Sequence, residues 1–290
     1  LSETISCLAL AIWGTNIWCL VPRRSFYHAH AGSPIRCSVR ANPVERGRVV
    51  SYRSAVTKTD PFKFFPTSRE IIRLAGMMYV RFPLSLRNVE DLLHERGIEV
   101  SHETVRIWRN RFCPLFAAEI RRKRVDRMRS GTHWRWHLDE VFVKINGEMH
   151  YLWRAVDHEG EVLESYVTRR RDRKAALKFI RKSMRRHGQP RVIVTDRLRS
   201  YGAAMKEMGN AKRQNTGRWL NNRAENSHLP FRRRERAMLR VRRMRSLQKF
   251  VAVHASVHNH FNQERHLYSR SNFKLNRAAA LAEWRGLGVA

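Results

Sequence analysis

Between positions 67 and 113 the apolar residues recur at intervals of three and four. Ile71, Ile72, Leu74, Ala75, Met78 and Tyr79 form one stripe, Leu86, Val89, Leu92 and Leu93 a second, and Val105, Trp108 and Phe112 a third. This spacing lines up side chains on one face of an α-helix. Thr67, with Glu70 three positions on, fits a capping box that opens the first helix. Pro83 and Ser85 separate it from the second, which Gly97 can close, and Ser101 suits the N-cap of the third, with Pro114 following. Two helices joined by the short Gly97–Ser101 connection make a helix-turn-helix pattern.

The period changes at Trp134. Residues 134–145 alternate and are rich in bulky and β-branched side chains, which predicts a strand. Asn146-Gly147 is a strong hairpin signal. Residues 150–157 form the return strand, His158-Glu159-Gly160 a turn, and 162–168 a third strand. A helix is expected over 172–186, with Ala176, Leu177, Ile180 and Met184 inward. The run 191–196 is apolar without alternation, as in a strand buried on both faces. A helix at 200–208 follows, the strand-rich part ends near Trp219, and helices are expected at about 221–236 and 243–262. Three antiparallel strands, helix, strand, helix, short strand, helix is the order of the ribonuclease-H-like mixed-sheet α/β fold, here preceded by an all-α helix-turn-helix module.

Four segments are therefore expected. Residues 1–57 contain an apolar run, Cys7 to Val21, that is too short to span a bilayer and is followed rather than preceded by arginines. They are read as a poorly structured or non-native extension. Residues 58–128 are the helical module with a basic connector, 129–270 the ribonuclease-H-like α/β domain, and 271–290 a C-terminal helical tail.

Charge narrows the function. Lys and Arg number 58 against 25 Asp and Glu, a net charge of +33, while hydrophobic residues make up 42% of the chain. Such a surface calls for a polyanion, and the apolar content can still build a core. Nucleic acid is the leading partner, and no basic amphipathic anchor supports a membrane. The four cysteines show no C-x-x-C spacing, so neither a zinc ribbon nor a disulfide framework is indicated and a reducing compartment is expected. On the third helix His102, Glu103, Arg106, Arg109 and Asn110 would face outward, able to touch base edges and phosphates. Arg121–Arg124, Arg127 and Arg129 form the connector. Residues 232–245 hold eight arginines, among them Arg232, Arg233, Arg234 and Arg236, which are read as a DNA groove. His254 and His258 lie one turn apart without the Glu of a zinc-binding helix and are read as packed. No phosphate-binding loop and no nucleophile elbow are present to support ATP-driven chemistry or acyl transfer.

Acids are scarce, so their placement is informative. Asp139 lies mid-strand beside Glu140, and alternation sends the two to opposite faces. Asp196 ends a buried strand, where open α/β sheets place ligands. Glu225 opens a helix. Convergence of Asp139, Asp196 and Glu225 on two Mg²⁺ ions, with Mn²⁺ able to substitute, would suit phosphodiester chemistry. There a nucleophilic oxygen must lose its proton while the leaving oxygen is stabilised.

Three stretches, WHLDEVFVKINGEMHYLWRAVDHEGEVLESY, VIVTDRLRSYGAAM and GRWLNNRAENSHLPFRRRERAM, resemble the DDE transposases of bacterial insertion sequences, in the IS-six group. The resemblance covers about 60–285. It implies a helix-turn-helix that binds terminal inverted repeats, a ribonuclease-H-like core, and a triad falling on Asp139, Asp196 and Glu225. The basic residue two turns beyond the glutamate falls on Arg232. The resemblance further implies double-stranded DNA partners (terminal repeats and target), a homodimer or larger assembly, and a cytoplasmic, nucleoid-associated bacterial location. The Asp196-to-Glu225 interval is shorter than usual in that group, and Arg197 stands where a smaller residue is expected. The alternative class is a non-catalytic DNA-binding regulator or a decayed remnant.

Overall fold

A computed structural model describes residues 60–128, 135–217, 219–238, 240–262 and 268–288. The expected extension over 1–57, with Cys7, Cys19 and Cys37, lies outside the described residues, as do Trp134 and Arg129 of the basic connector. The described elements belong to the compact unit formed by Val56–Ala290.

Helix α1 spans Arg69–Arg81, α2 Leu86–His94 and α3 His102–Met128. The cap of α1 is Ser68 rather than Thr67: its Oγ accepts from the Ile71 N–H at 3.3 Å, and Glu70 sits in the first turn facing the positive end of the helix. Ser85 and Asn88 form a reciprocal capping box on α2, and Gly97 turns the chain at φ +70°. Helix α3 does not stop at Pro114. It runs through the proline for 27 residues, and the Arg121–Arg124 stretch of the connector is its continuation. Burial explains this. Phe112, Phe116, Ala117 and Ile120 form an inward stripe on both sides of the proline, and Phe112 stacks on Phe62 at 4.8 Å. That packing offsets the lost backbone hydrogen bond.

Five strands form one sheet in the order β3-β2-β1-β4-β5. They are β1 Arg135–Ile145, β2 Glu148–Asp157, β3 Val162–Thr168, β4 Val192–Thr195 and β5 Gln214–Thr216. The first three pair antiparallel, while β4 runs parallel to β1 and β5 parallel to β4. The hairpin between β1 and β2 turns at Asn146 and Gly147, both with positive φ, as a two-residue primed turn requires. Helix α4 spans Arg173–His187, α5 Arg199–Glu207, α6 Asn222–Ala237, α7 Met244–Phe261 and α8 Arg270–Arg285. This is the ribonuclease-H-like arrangement.

Alternation along β1 divides the core. Trp136 and Leu138 face α4 and α5, packing with Trp153, Phe179, Ile180 and Tyr201. Val143 and Ile145 face the other way, into a cluster shared with α1, α3 and α7. The helical module and the sheet thus share one apolar core, joined through α7. Helix α7 also covers the β3 edge of the sheet. Gln248 accepts from the Val167 N–H and donates to the Ser165 carbonyl, and Asn259 does the same with Val162. Helix α8 is tied to α1 through the Trp284 Nε1–H, which donates to the Arg73 carbonyl at 3.1 Å.

Candidate active site

The parallel pairing of β1 with β4 ends at Leu138 and Thr195. The next residue on each strand is an aspartate, so Asp139 and Asp196 emerge side by side where the two strands part. Asp139 Oδ1 accepts from the Glu140 N–H at 2.9 Å, and Asp196 Oδ1 from the Leu198 N–H at 3.1 Å at the start of α5. Glu140 points to the opposite face of β1, toward Tyr201, and lies 3.4 Å from the Arg171 guanidinium. Strand alternation therefore holds. Even so, one carboxylate oxygen from each of Asp139, Glu140 and Asp196 lies within 4.8 Å of the others. Asp196 stands at the open end of β4, within reach of both faces. The sequence pattern named Glu140 without assigning it to the site, because alternation alone does not say where the neighbouring strand ends.

Three crowded acids repel one another. Burial, followed by the charges of Asp196 and Asp139, pushes Glu140 up to about 7. Burial raises Asp196 as well, and the Leu198 N–H opposes that shift. The buried Tyr201 hydroxyl is driven well above its ordinary range, first by burial and then by Glu140. Oxygen donors held this close and partly desolvated suit a hard divalent cation, which would relieve the repulsion.

Helix α6 is seated against this end of β1. Asn221 Nδ2 donates to the Leu138 carbonyl at 2.9 Å, and His228 Nε2 lies 3.2 Å from Asp139 Oδ2. Burial lowers His228, and the bond to Asp139 opposes that shift. Glu225 is exposed on the first turn of α6, one turn before His228, and is outside the group of three close carboxylates.

The basic residues divide by exposure. Arg233 and Arg236 are exposed. Arg232 is half-buried and pairs with Glu235 at 2.5 Å. Arg234 does not lie open to a duplex as the sequence pattern suggested. It is 1% exposed, with its guanidinium 4.0 Å from the centre of the Tyr79 ring and 5.8 Å from that of Phe250. At its place on α6 it points into the seam with α1 and α7, where aromatic faces take the cation. On α3, Arg106 and Asn110 are exposed, and Arg106 pairs with Glu103. Arg109 donates to the Tyr79 hydroxyl at 3.2 Å and to Asn110 Oδ1 at 2.7 Å. Arg197 is exposed. His254 and His258 stack at 6.0 Å inside the α7 packing, with burial holding His258 down at about 4 and His254 well below its ordinary range.

A second acidic group, Asp157, Glu159 and Glu161, belongs to the β2–β3 turn. There Asp157 Oδ1 accepts from the Glu159 and Glu161 N–H groups.

The sheet order, with acids where β1 and β4 part, defines a ribonuclease-H-like core of the nucleic-acid-cutting and strand-transferring class. Residues 133–264 match the family model described as a DDE domain, of the IS240 transposase type. The transposase for insertion sequence-like element IS431mec of Staphylococcus aureus is 30% identical over 172 residues, covering 58% of this chain and 75% of the relative. The transposase for insertion sequence element IS257 in transposon Tn4003, also of Staphylococcus aureus, matches to the same extent. An uncharacterized Yersinia pseudotuberculosis protein, pYV0051, is 34% identical over 73 residues, covering 24% of this chain and 68% of its own. The chain belongs to the insertion-sequence DDE transposases of the IS-six group. Its partner is DNA, and its DDE domain is of a kind that uses divalent metal. Among the described residues no helix is long and apolar enough to cross a membrane.

Proposed function

We propose that this chain binds the terminal inverted repeats of its element, cuts the DNA at the element's ends and joins the freed 3′-hydroxyl to target DNA. In the cut, a water oxygen bonds to phosphorus as the bond to the 3′ oxygen breaks, and that oxygen leaves carrying a proton. In the joining, the 3′ oxygen bonds to a target phosphorus and the target's own 3′ oxygen leaves. One P–O bond forms for each that breaks, so no ATP is required.

Asp139, Asp196 and Glu225 would hold two Mg²⁺ ions, with Mn²⁺ able to replace them. Bound there, the ions would supply Lewis-acid stabilisation of the attacking and leaving oxygens. Asp139 is offered on β1 and Asp196 on β4, and Glu225 is carried on α6, which the protein seats on Asp139 through His228. Glu140 closes the carboxylate group from the α5 face. Arg106, Arg109 and Asn110 on α3 would engage the terminal repeat. Arg232, Arg233 and Arg236 would lie along phosphates near the cut. Engagement of Arg109 or Arg232 with DNA exchanges its present partner, Tyr79 or Glu235, for a base or phosphate. Two ends held together imply two or more copies of the chain on DNA.

One observation carries this reading: oxygens of Asp139 and Asp196 lie within 4.8 Å of each other at the parting of the two central strands. The test is cleavage and joining of labelled end DNA with Mg²⁺. Asp139→Asn and Asp196→Asn are expected to retain end binding and to lose joining by about 10²-fold or more. Full joining by Asp139→Asn would overturn the mechanism. Specific end binding without cleavage at any divalent ion would favour a regulator.

A further inference from the structure

Arg154 is a cation sealed inside the protein. It lies in the middle of β2 at 1% exposure, and its Nη1 donates to the Ser227 carbonyl on α6. Its Nε and Nη2 are buried without a hydrogen-bond partner among the described residues. Burying a guanidinium with two of its nitrogens unpaired costs stability, and an apolar side chain of similar volume would avoid that cost. A group this expensive calls for a reason.

Its surroundings supply one. The β1–β2 register sets Arg154 directly opposite Asp139, and facing residues of an antiparallel pair share one side of the sheet. On that side Arg154 holds Ser227, and the next residue, His228, contacts Asp139 Oδ2 at 3.2 Å. Glu225 precedes Ser227 by two positions on the same helix. A closed path therefore runs from Asp139 through His228 and Ser227 to Arg154 and back across the strands. The Phe231 ring, 5.7 Å from the guanidinium, braces the same turn of α6.

We propose that Arg154 is a positioning residue of the cation site. By gripping the Ser227 carbonyl it fixes the rotation and height of α6 against β1. This seats His228 on Asp139 and carries Glu225 to the rim of the site. The proposal rests on Asp139 and Glu225 being cation ligands, as argued above.

The experiment compares Arg154→Met and Arg154→Lys with the unchanged protein and with Asp139→Asn. Mn²⁺ binding to the DNA-free protein is followed by paramagnetic resonance titration, alongside thermal melting, end-DNA binding and strand joining. Arg154→Met is expected to melt at or above the parent temperature and to bind end DNA normally. Its Mn²⁺ affinity and its joining are expected to fall by about 10–100-fold, the usual loss when a ligand's support is removed. Arg154→Lys keeps the charge but not the planar fork, and is expected to lie between the two.

Two other roles predict different results. A packing role leaves Mn²⁺ affinity unchanged. A through-space charge effect tightens Mn²⁺ binding when the cation is removed. Either result overturns the proposal. If Arg154→Met does not fold, Arg154→Lys decides, and parent-like Mn²⁺ affinity in that variant counts against it. Failure of the underlying site is a separate outcome, seen as Asp139→Asn binding Mn²⁺ as tightly as the parent.

Discussion

Glu140 offers a quantitative test of the crowded carboxylates. Replacing it with Gln keeps the shape and removes the charge. In the folded protein its carboxyl is raised from 4.5 to about 7 by burial and by Asp196 and Asp139, while Arg171 opposes the shift. The unfolded chain therefore releases this proton first. Between about pH 4.5 and pH 7 rising pH favours the unfolded state, and above pH 7 the destabilisation is fully developed. At about 1.36 kcal/mol per pH unit the ceiling is ~3 kcal/mol. Solvent reaches part of the site, so about 2 kcal/mol is the expected size. Urea denaturation of parent and Glu140→Gln, both in chelator, should give nearly equal stabilities at about pH 4. By pH 8 the variant should be the more stable by about 2 kcal/mol. Added Mg²⁺ should narrow that gap, because a bound cation takes over the neutralising role. A stability difference that stays constant across this pH range would refute the reasoning.

Other expectations concern the rest of the molecule. Arg233→Ala and Arg236→Ala should each weaken DNA binding evenly across sequences and lower the salt slope by about 1. Arg234→Ala should leave that slope unchanged and cost about 2 kcal/mol of stability through the lost contact with Tyr79, as read by salt titrations and melting. Phe116→Ala should destabilise by about 3–5 kcal/mol in urea titrations, since the ring is fully buried against Phe112 and 5.5 Å from Trp284. Pro114→Ala should stabilise α3 by about 2 kcal/mol in the same assay, by restoring an N–H to the exposed middle of a helix.

Local chemistry made much of the fold legible. Asn146-Gly147 specified its hairpin because few other pairs tolerate two positive φ values. The segment 162–168 matched β3 at both ends, and Asp172 capped α4 through the Ala175 N–H. Long-range features were less accessible. Pro114 signals a break, and only the aromatic packing around it explains the unbroken helix. Arg234 looks like one arginine in a basic run until Tyr79, far away in the chain, is folded against it. At the site, Asp139 and Asp196 could be singled out from their strands. The contribution of Glu140 depends on where β4 ends beside β1, and the burden on Arg154 depends on strand register. Neither is written in a local pattern.

The amide side chains of Gln248 and Asn259 bear on how copies of this chain meet. They occupy outward-facing backbone groups of β3, so that rim of the sheet offers no ladder to a visiting strand. The opposite rim, β5, is only three residues long. In the proposed assembly on DNA, the described rims of the sheet therefore favour association through helix surfaces, or through the nucleic acid itself, over extension of one sheet into the next.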